Sequence, residues 1–144
     1  IGVRLVGSEM CIETVDRIVH IKASDQALSE LYSRALLFVY PSLYEGFGIP
    51  ILEAYACHCP LALSNTSCFP EIAGEAGCYF NPYSEESIAQ AVKSVLYDPQ
   101  KREALIKAGS ERLQMYSWEK TAQKTEAVYR KAYQASQKEC TFKE

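Results

Sequence analysis

Short apolar runs, each closed by a polar or chain-breaking residue, alternate along this sequence with amphipathic stretches of helical spacing. Val3-Arg4-Leu5-Val6, Arg17-Ile18-Val19-His20-Ile21, Leu36-Leu37-Phe38-Val39-Tyr40 (read as a buried strand), Leu61-Ala62-Leu63-Ser64 and Gly77-Cys78-Tyr79-Phe80 have the length and content of strands. Behind a cap at Ser24 or Asp25, Ala27, Leu28, Leu31, Tyr32 and Ala35 follow the i, i+3, i+4 rule of a helix. Pro50 stands in the first turn of a second helix, where a missing N–H costs nothing. Ser84 opens a helix with the stripe Ile88, Ala91, Val92, Val95 and Leu96. Pro99 opens another through about Met115, and Ser117 caps a last one to about Gln137. Strand and helix in strict alternation, with short loops, lead to an α/β fold: a Rossmann-like parallel sheet with helices on both faces. No repeat, low-complexity tract or linker interrupts the pattern. We therefore expect residues 1–144 to form one domain, with C-terminal helices at about 99–138.

The 144 residues, 48% hydrophobic and 23% charged, suffice to bury a core without staples. The longest unbroken apolar run, Ala35 to Tyr40, is six residues, too short to span a bilayer. The start has neither a basic n-region nor a long apolar h-region, so it is not read as a signal peptide. It also lacks a Met, which leads to the expectation of a chain that begins inside a longer protein. Residues 1–92 carry 4 Lys/Arg against 11 Asp/Glu, a charge of −7, whereas residues 93–144 carry +4. An acidic first part argues against nucleic acid as a partner, because phosphates demand clustered cations. In the basic last part the two signs are interspersed at helical spacing, as in Glu126 and Arg130, the pattern of a solvated helix face.

Of six cysteines, only Cys57-His58-Cys59 is a tight cluster, and it lacks the CxxC spacing and second ligand pair of a structural zinc site. Reduced core cysteines in a cytoplasmic protein, with no metal ligand set, are the simpler reading.

In parallel sheets, ligands bind where strand C-termini meet helix N-termini. Ser42-Leu43-Tyr44-Glu45-Gly46-Phe47-Gly48-Ile49-Pro50-Ile51-Leu52-Glu53 occupies such a place. Its two glycines allow close backbone approach, and the helix start offers free N–H groups and a positive dipole end that suit a phosphate. Glu45 and Glu53 flank this cradle. A carboxylate repels a phosphate but accepts strong hydrogen bonds from sugar hydroxyls, so the pattern suggests phosphate in the middle and polyols at both ends. A nucleotide-sugar has that layout. The competing reading is an ordinary glycine-containing loop, with Glu53 serving only as a favourable first-turn charge.

The run Tyr40-Pro41-Ser42-Leu43-Tyr44-Glu45-Gly46-Phe47-Gly48-Ile49-Pro50-Ile51-Leu52-Glu53-Ala54 closely resembles the E-x7-E signature of retaining glycosyltransferases of family 4, whose GT-B fold sets two Rossmann-like domains across a cleft. Leu31 to Ala35, Cys59 to Asn65, Pro70 to Gly77 and Tyr116 to Glu119 resemble further family segments in the right order. The resemblance implies a donor-binding half of the GT-B fold. Glu53 would bind the nucleotide ribose and Glu45 the donor hexose near the reacting face, as the catalytic position. The N–H groups of Gly46, Phe47, Gly48 and Ile49 would hold hexose hydroxyls and phosphate oxygens, with Leu52 beside ribose and diphosphate. Family members retain the anomeric configuration and usually work without metal or other cofactor, by a front-face route in which the leaving diphosphate helps deprotonate the acceptor. Glu45 would then orient the donor rather than act as a hydrolase-type nucleophile.

The resemblance also implies absences. A family member has an N-terminal acceptor domain, and its donor domain opens with a basic pair that clamps the diphosphate; this chain is read as starting after both. His58 stands where the family usually has Gly, a position favouring positive φ, and Ile21 stands where a Gly often follows the second strand. Glu71 is read as capping a short helix or fixing a turn, His20 as a half-buried structural histidine, and the tyrosines and Trp118 as core and interface anchors. The expected partners are a nucleotide-sugar donor and the rest of the same protein. The parent enzyme would move a hexose to a glycan or lipid-linked acceptor in the cytoplasm, with peripheral contact at the cytoplasmic membrane face as an option. This chain alone would transfer nothing. The alternative is a non-catalytic α/β module, or a degenerate fragment that binds no donor.

Overall fold

The computed structural model describes residues 2–4 and 18–140. Strands β1 (Gly2–Arg4) and β2 (Ile18–His20) pair in parallel, and β3 (Phe38–Tyr40), β4 (Leu61–Ser64) and β5 (Gly77–Phe80) form a second parallel sheet in that order. Helices α1 (Asp25–Arg34), α2 (Ile49–Ala56), α3 (Phe69–Ala73), α4 (Glu85–Leu96), α5 (Pro99–Leu113) and α6 (Trp118–Cys140) complete the order, with a 3-10 turn at Gly74–Ala76. Leu5, Val6 and Arg17 of the expected strands and the thiols of Cys11 and Cys140 lie outside the described residues and side chains.

The period-2 alternation of strand side chains sorts the core into two layers. Leu61 and Leu63 of β4, with Phe38, Tyr40 and Tyr79 of its neighbours, pack against Tyr32, Ile51, Tyr55 and Phe69 from α1, α2 and α3. Ala62 and Phe80 point the other way, onto Ala91 and Ile88 of α4. Helices therefore cover both faces of the three-stranded sheet, and its central strand β4 is buried along its whole length. Phe69, at 0% exposure, is a residue whose truncation costs about 3–5 kcal/mol. α5 reaches this layer because Gly109 carries no Cβ: one built there would lie 2.5 Å from Tyr55 Cδ1.

Local chemistry sets the boundaries. Ser24, Ser84 and Asp98 accept from the N–H groups of Ala27, Ser87 and Lys101 at the starts of α1, α4 and α5. Ser117 does the same for Lys120 at 3.1 Å. α2 ends at Ala56 with Cys57 as its C-cap, and His58 turns the chain at φ 55°. The positive φ expected at His58 is thus present, its imidazole Nδ1 lying 3.2 Å from Ser110 Oγ on α5.

Two expectations need correction. β3 is half-buried rather than buried, and Leu36 before it is 65% exposed, because the described ladder gives β3 a neighbour on one side alone. Trp118, Tyr44, Tyr83, Tyr97, Tyr129 and Tyr133 are exposed; Tyr32 and Tyr55 are buried, and Tyr40, Tyr79 and Tyr116 pack half-buried against the core. The chain from Phe69 to Ala73 forms the short helix expected around Glu71, with Glu71 in its first turn. No described helix is long and apolar enough to cross a membrane.

Candidate functional site

Parallel pairing of β3 and β4 brings their C-terminal ends to one sheet edge, so the loops that follow must meet there. They do, through the backbone of Glu45. Glu45 N–H donates to Ser67 Oγ at 3.1 Å, and the same hydroxyl donates to Glu45 O at 2.9 Å. Cys68 Sγ also reaches Glu45 O at 3.3 Å, and Thr66 Oγ1 donates to Leu43 O at 3.2 Å. The Glu45 carboxylate accepts from Ser42 Oγ at 3.0 Å.

Gly48 makes the turn into α2. It sits in the left-handed region at φ 88°, and a Cβ there would meet Ile51 Cδ1 at 3.1 Å and Phe69 Cε1 at 3.2 Å. Gly46 differs, since nothing lies within 4 Å of a Cβ built on it. The neighbouring protein does not demand glycine at 46; open space above the loop does not oppose it either. In the first turn of α2, Ile49 has no intrahelical acceptor, Pro50 has no N–H, and Ile51 donates to Gly48 O at 3.0 Å.

Four of the expected site residues, Phe47, Ile49, Leu52 and Glu53, line one cavity of about 580 Å³. Its far wall comes from the α5–α6 junction, where Leu113, Tyr116 and Trp118 face them. The Phe47 and Tyr116 rings meet edge to face. Arg112 stacks over Tyr116 and donates to the carbonyls of Ile72, at 2.9 Å, and Glu71, so it fastens the end of α5 to α3. Glu45, Gly46 and Gly48 do not line this cavity; they stand on the loop at the sheet edge.

Each carboxylate has a phenol beside it. Burial, and after it the nearby Glu53 carboxylate, raises the pKa of Tyr32 above the ordinary phenol value; the buried Tyr32 hydroxyl makes no hydrogen bond among the described residues. Burial and then Glu45 raise Tyr40 in the same way. The two phenols belong to one aromatic row under the loop, Tyr32 to Phe38 at 5.1 Å, Phe38 to Tyr40 at 5.5 Å and Tyr40 to Phe69 at 5.0 Å.

Other sequence candidates fall elsewhere. Cys57 Sγ turns to Ser29, His58 to Ser110 and Cys59 to the carbonyl of Ala35, so the three do not converge, and the four described cysteines are free thiols. Glu71 is exposed in the first turn of α3, and His20 is exposed rather than half-buried. Ser67 and Tyr116 join the site without a local sequence signal of their own. The signal for Ser67 was the parallel pairing itself, which forces the turn after β4 against the loop after β3.

Residues 13–112, which include the whole loop and both carboxylates, match the family described as Glycosyl transferases group 1. The chain belongs to that family. This group 1 glycosyltransferase chain is 39% identical over 106 residues to the O-antigen chain mannosyltransferase B of Escherichia coli, covering 74% of itself and 28% of that protein. It is 32% identical over 124 residues to the MMP alpha-(1->4)-mannosyltransferase of Mycolicibacterium hassiacum, covering 82% of itself and 30% of the relative. Its α/β fold superposes on the sucrose-phosphate synthase of Thermosynechococcus elongatus with a TM-score of 0.73 at 31% identity, over 83% of this chain and 31% of that one. The sheet flanked by helices thus matches glycosyltransferases of the GT-B type, and the chain spans under a third of the length of each of these three relatives.

Proposed function

We propose that residues 1–144 are most of the nucleotide-sugar-binding domain of a retaining glycosyltransferase of family 4, part of a larger enzyme that moves a hexose to a glycan or lipid-linked acceptor. The observation that carries this reading is the strand–loop–helix unit of β3 and α2. A carboxylate fixed in the loop, a left-handed glycine and a helix start are followed one turn later by a second carboxylate on a cavity wall. Glu53 accepts ribose hydroxyls there, with Leu52 beside it. The N–H groups of Gly46, Phe47, Gly48 and Ile49 hold hexose hydroxyls and phosphate oxygens. Glu45 orients the hexose while the leaving diphosphate helps to deprotonate the acceptor. The enzyme needs no metal or other cofactor, resides in the cytoplasm and contributes an acceptor domain from elsewhere in its chain. The mannosyltransferases among the relatives make mannose the first hexose to try. Membership of an enzyme family does not favour the alternative of a non-catalytic module.

The test is transfer from a panel of UDP-, GDP- and ADP-hexoses by the polypeptide that carries both halves, with the product anomer read by NMR and EDTA present in a parallel series. Retention of configuration, undiminished by EDTA and with turnover cut by Glu45→Gln more than donor affinity, supports the reading. Inversion, or a Glu45→Gln variant that loses affinity but keeps turnover, contradicts it.

A further inference from the structure

We infer that Ser67 is a positioning residue for Glu45: its single hydroxyl, held by a left-handed backbone, locks the Glu45 peptide and thereby aims the carboxylate. This rests on the reading of Glu45 as the residue that orients the donor hexose.

Four observations converge on it. The Ser67 hydroxyl bridges both polar groups of one residue, accepting from Glu45 N–H at 3.1 Å and donating to Glu45 O at 2.9 Å. Such a pair fixes the peptide on each side of the Glu45 Cα and leaves the side chain a short, defined reach. The carboxylate is then held from its own loop by Ser42 Oγ at 3.0 Å, so backbone and side chain are restrained by different hydroxyls. The two partners are 22 residues apart in sequence and join the turns after two neighbouring strands, so the clamp makes the loop follow the sheet. Finally, Ser67 stands at φ 57°, where a residue with a Cβ is strained and glycine is not. A hydroxyl kept in a glycine-favouring conformation, and spending its hydrogen-bonding capacity on the expected hexose-contacting residue, fits strain held at a working site.

The strain separates a positioning role from a merely structural one. Ser67→Gly removes the hydroxyl and relieves the backbone; Ser67→Ala removes the hydroxyl and keeps the strain. Both are made in the polypeptide that carries out transfer, with Glu45→Gln beside them. We expect kcat to fall on the order of 10- to 100-fold in both Ser67 variants, the scale of a reacting group displaced by about 1 Å, with donor KM within about twofold. We also expect the urea midpoint of Ser67→Gly to equal or exceed that of the unchanged protein, and the Glu45 amide to exchange faster with deuterium in both variants. The inference is overturned if Ser67→Gly keeps full kcat, or if kcat merely follows stability, low in Ser67→Ala and restored in Ser67→Gly. An unchanged kcat in Glu45→Gln sinks the reading of Glu45 and the inference with it. A kcat lost in Glu45→Gln but kept in both Ser67 variants sinks the inference alone.

Discussion

The ring of Tyr116 stands edge-on to the ring of Phe47, 5.8 Å between centroids and 85° between planes, and so joins the α5–α6 junction to the loop that precedes α2. Tyr116 also donates its hydroxyl to Ile72 O at 3.3 Å and lies under the Arg112 guanidinium. One side chain therefore holds three segments that come together only in the folded chain.

Removing that ring and removing only its hydroxyl are expected to differ. Tyr116→Phe keeps the edge-to-face contact and gives up two hydrogen bonds, the one donated to Ile72 O and the one accepted from Arg112, a loss of about 0.5–1.5 kcal/mol for each. Tyr116→Ala forfeits in addition the aromatic pair, about 0.5–1.5 kcal/mol beyond the area it buries. Urea unfolding of both variants checks the order. Equal losses would show that the ring contact contributes nothing.

The two glycines of the loop are expected to respond in opposite ways. Gly48→Ala forces a Cβ into the left-handed region and against Ile51 and Phe69, for a loss of at least about 1 kcal/mol in stability. Gly46→Ala meets open space and leaves the melting temperature unchanged, while its methyl stands over the surface where the proposed donor lies and weakens donor binding. Thermal melts and donor titrations of the same two proteins decide between this split and a uniform effect.

Much of this was legible in the sequence, and the reasons can be given residue by residue. Ser84 and Ser117 announce their helices because a hydroxyl at an N-cap has one obvious use. Leu61-Ala62-Leu63-Ser64 announces a central strand because an unbroken apolar run suits a strand covered on both faces. The strand, glycine-bearing loop and helix start that carry Glu45 and Glu53 were legible because they are contiguous in the chain, whereas the roles expected of the two carboxylates came from the family resemblance. Ser67, by contrast, acts across 22 residues, and no local pattern marks a serine that clamps a distant peptide. The exposure of Trp118 was hidden for a similar reason: helical spacing shows that a face is apolar, not whether a neighbour covers it. The half-burial of β3 depended on the strand order, which local sequence does not carry.

Stability is expected to decline at high pH. Burial pushes the Cys59 thiol up from 9.0 to about 11, and the Tyr79 phenol from 10.0 to about 12. Both groups hold their protons more tightly folded than unfolded, so their contribution is fully present below about pH 9 and is lost as pH rises through 11 and 12. Urea midpoints taken across the alkaline range should be level at first and then fall. Cys59→Ala should start from a lower midpoint and fall less between pH 9 and 11. A midpoint that rises through this window would contradict the assignment.

Whether the loop and the first turns of α2 hold a nucleotide-sugar is decided by ligand-observed NMR of this chain against UDP-, GDP- and ADP-sugars, with Glu53→Ala as control. Saturation transfer to the ribose and base of one nucleotide is expected, reduced at least tenfold in Glu53→Ala, in a variant that melts with the unchanged protein. Equal transfer to Glu53→Ala, or none to any nucleotide-sugar even when the rest of the enzyme's chain is present, would contradict a nucleotide-sugar site there.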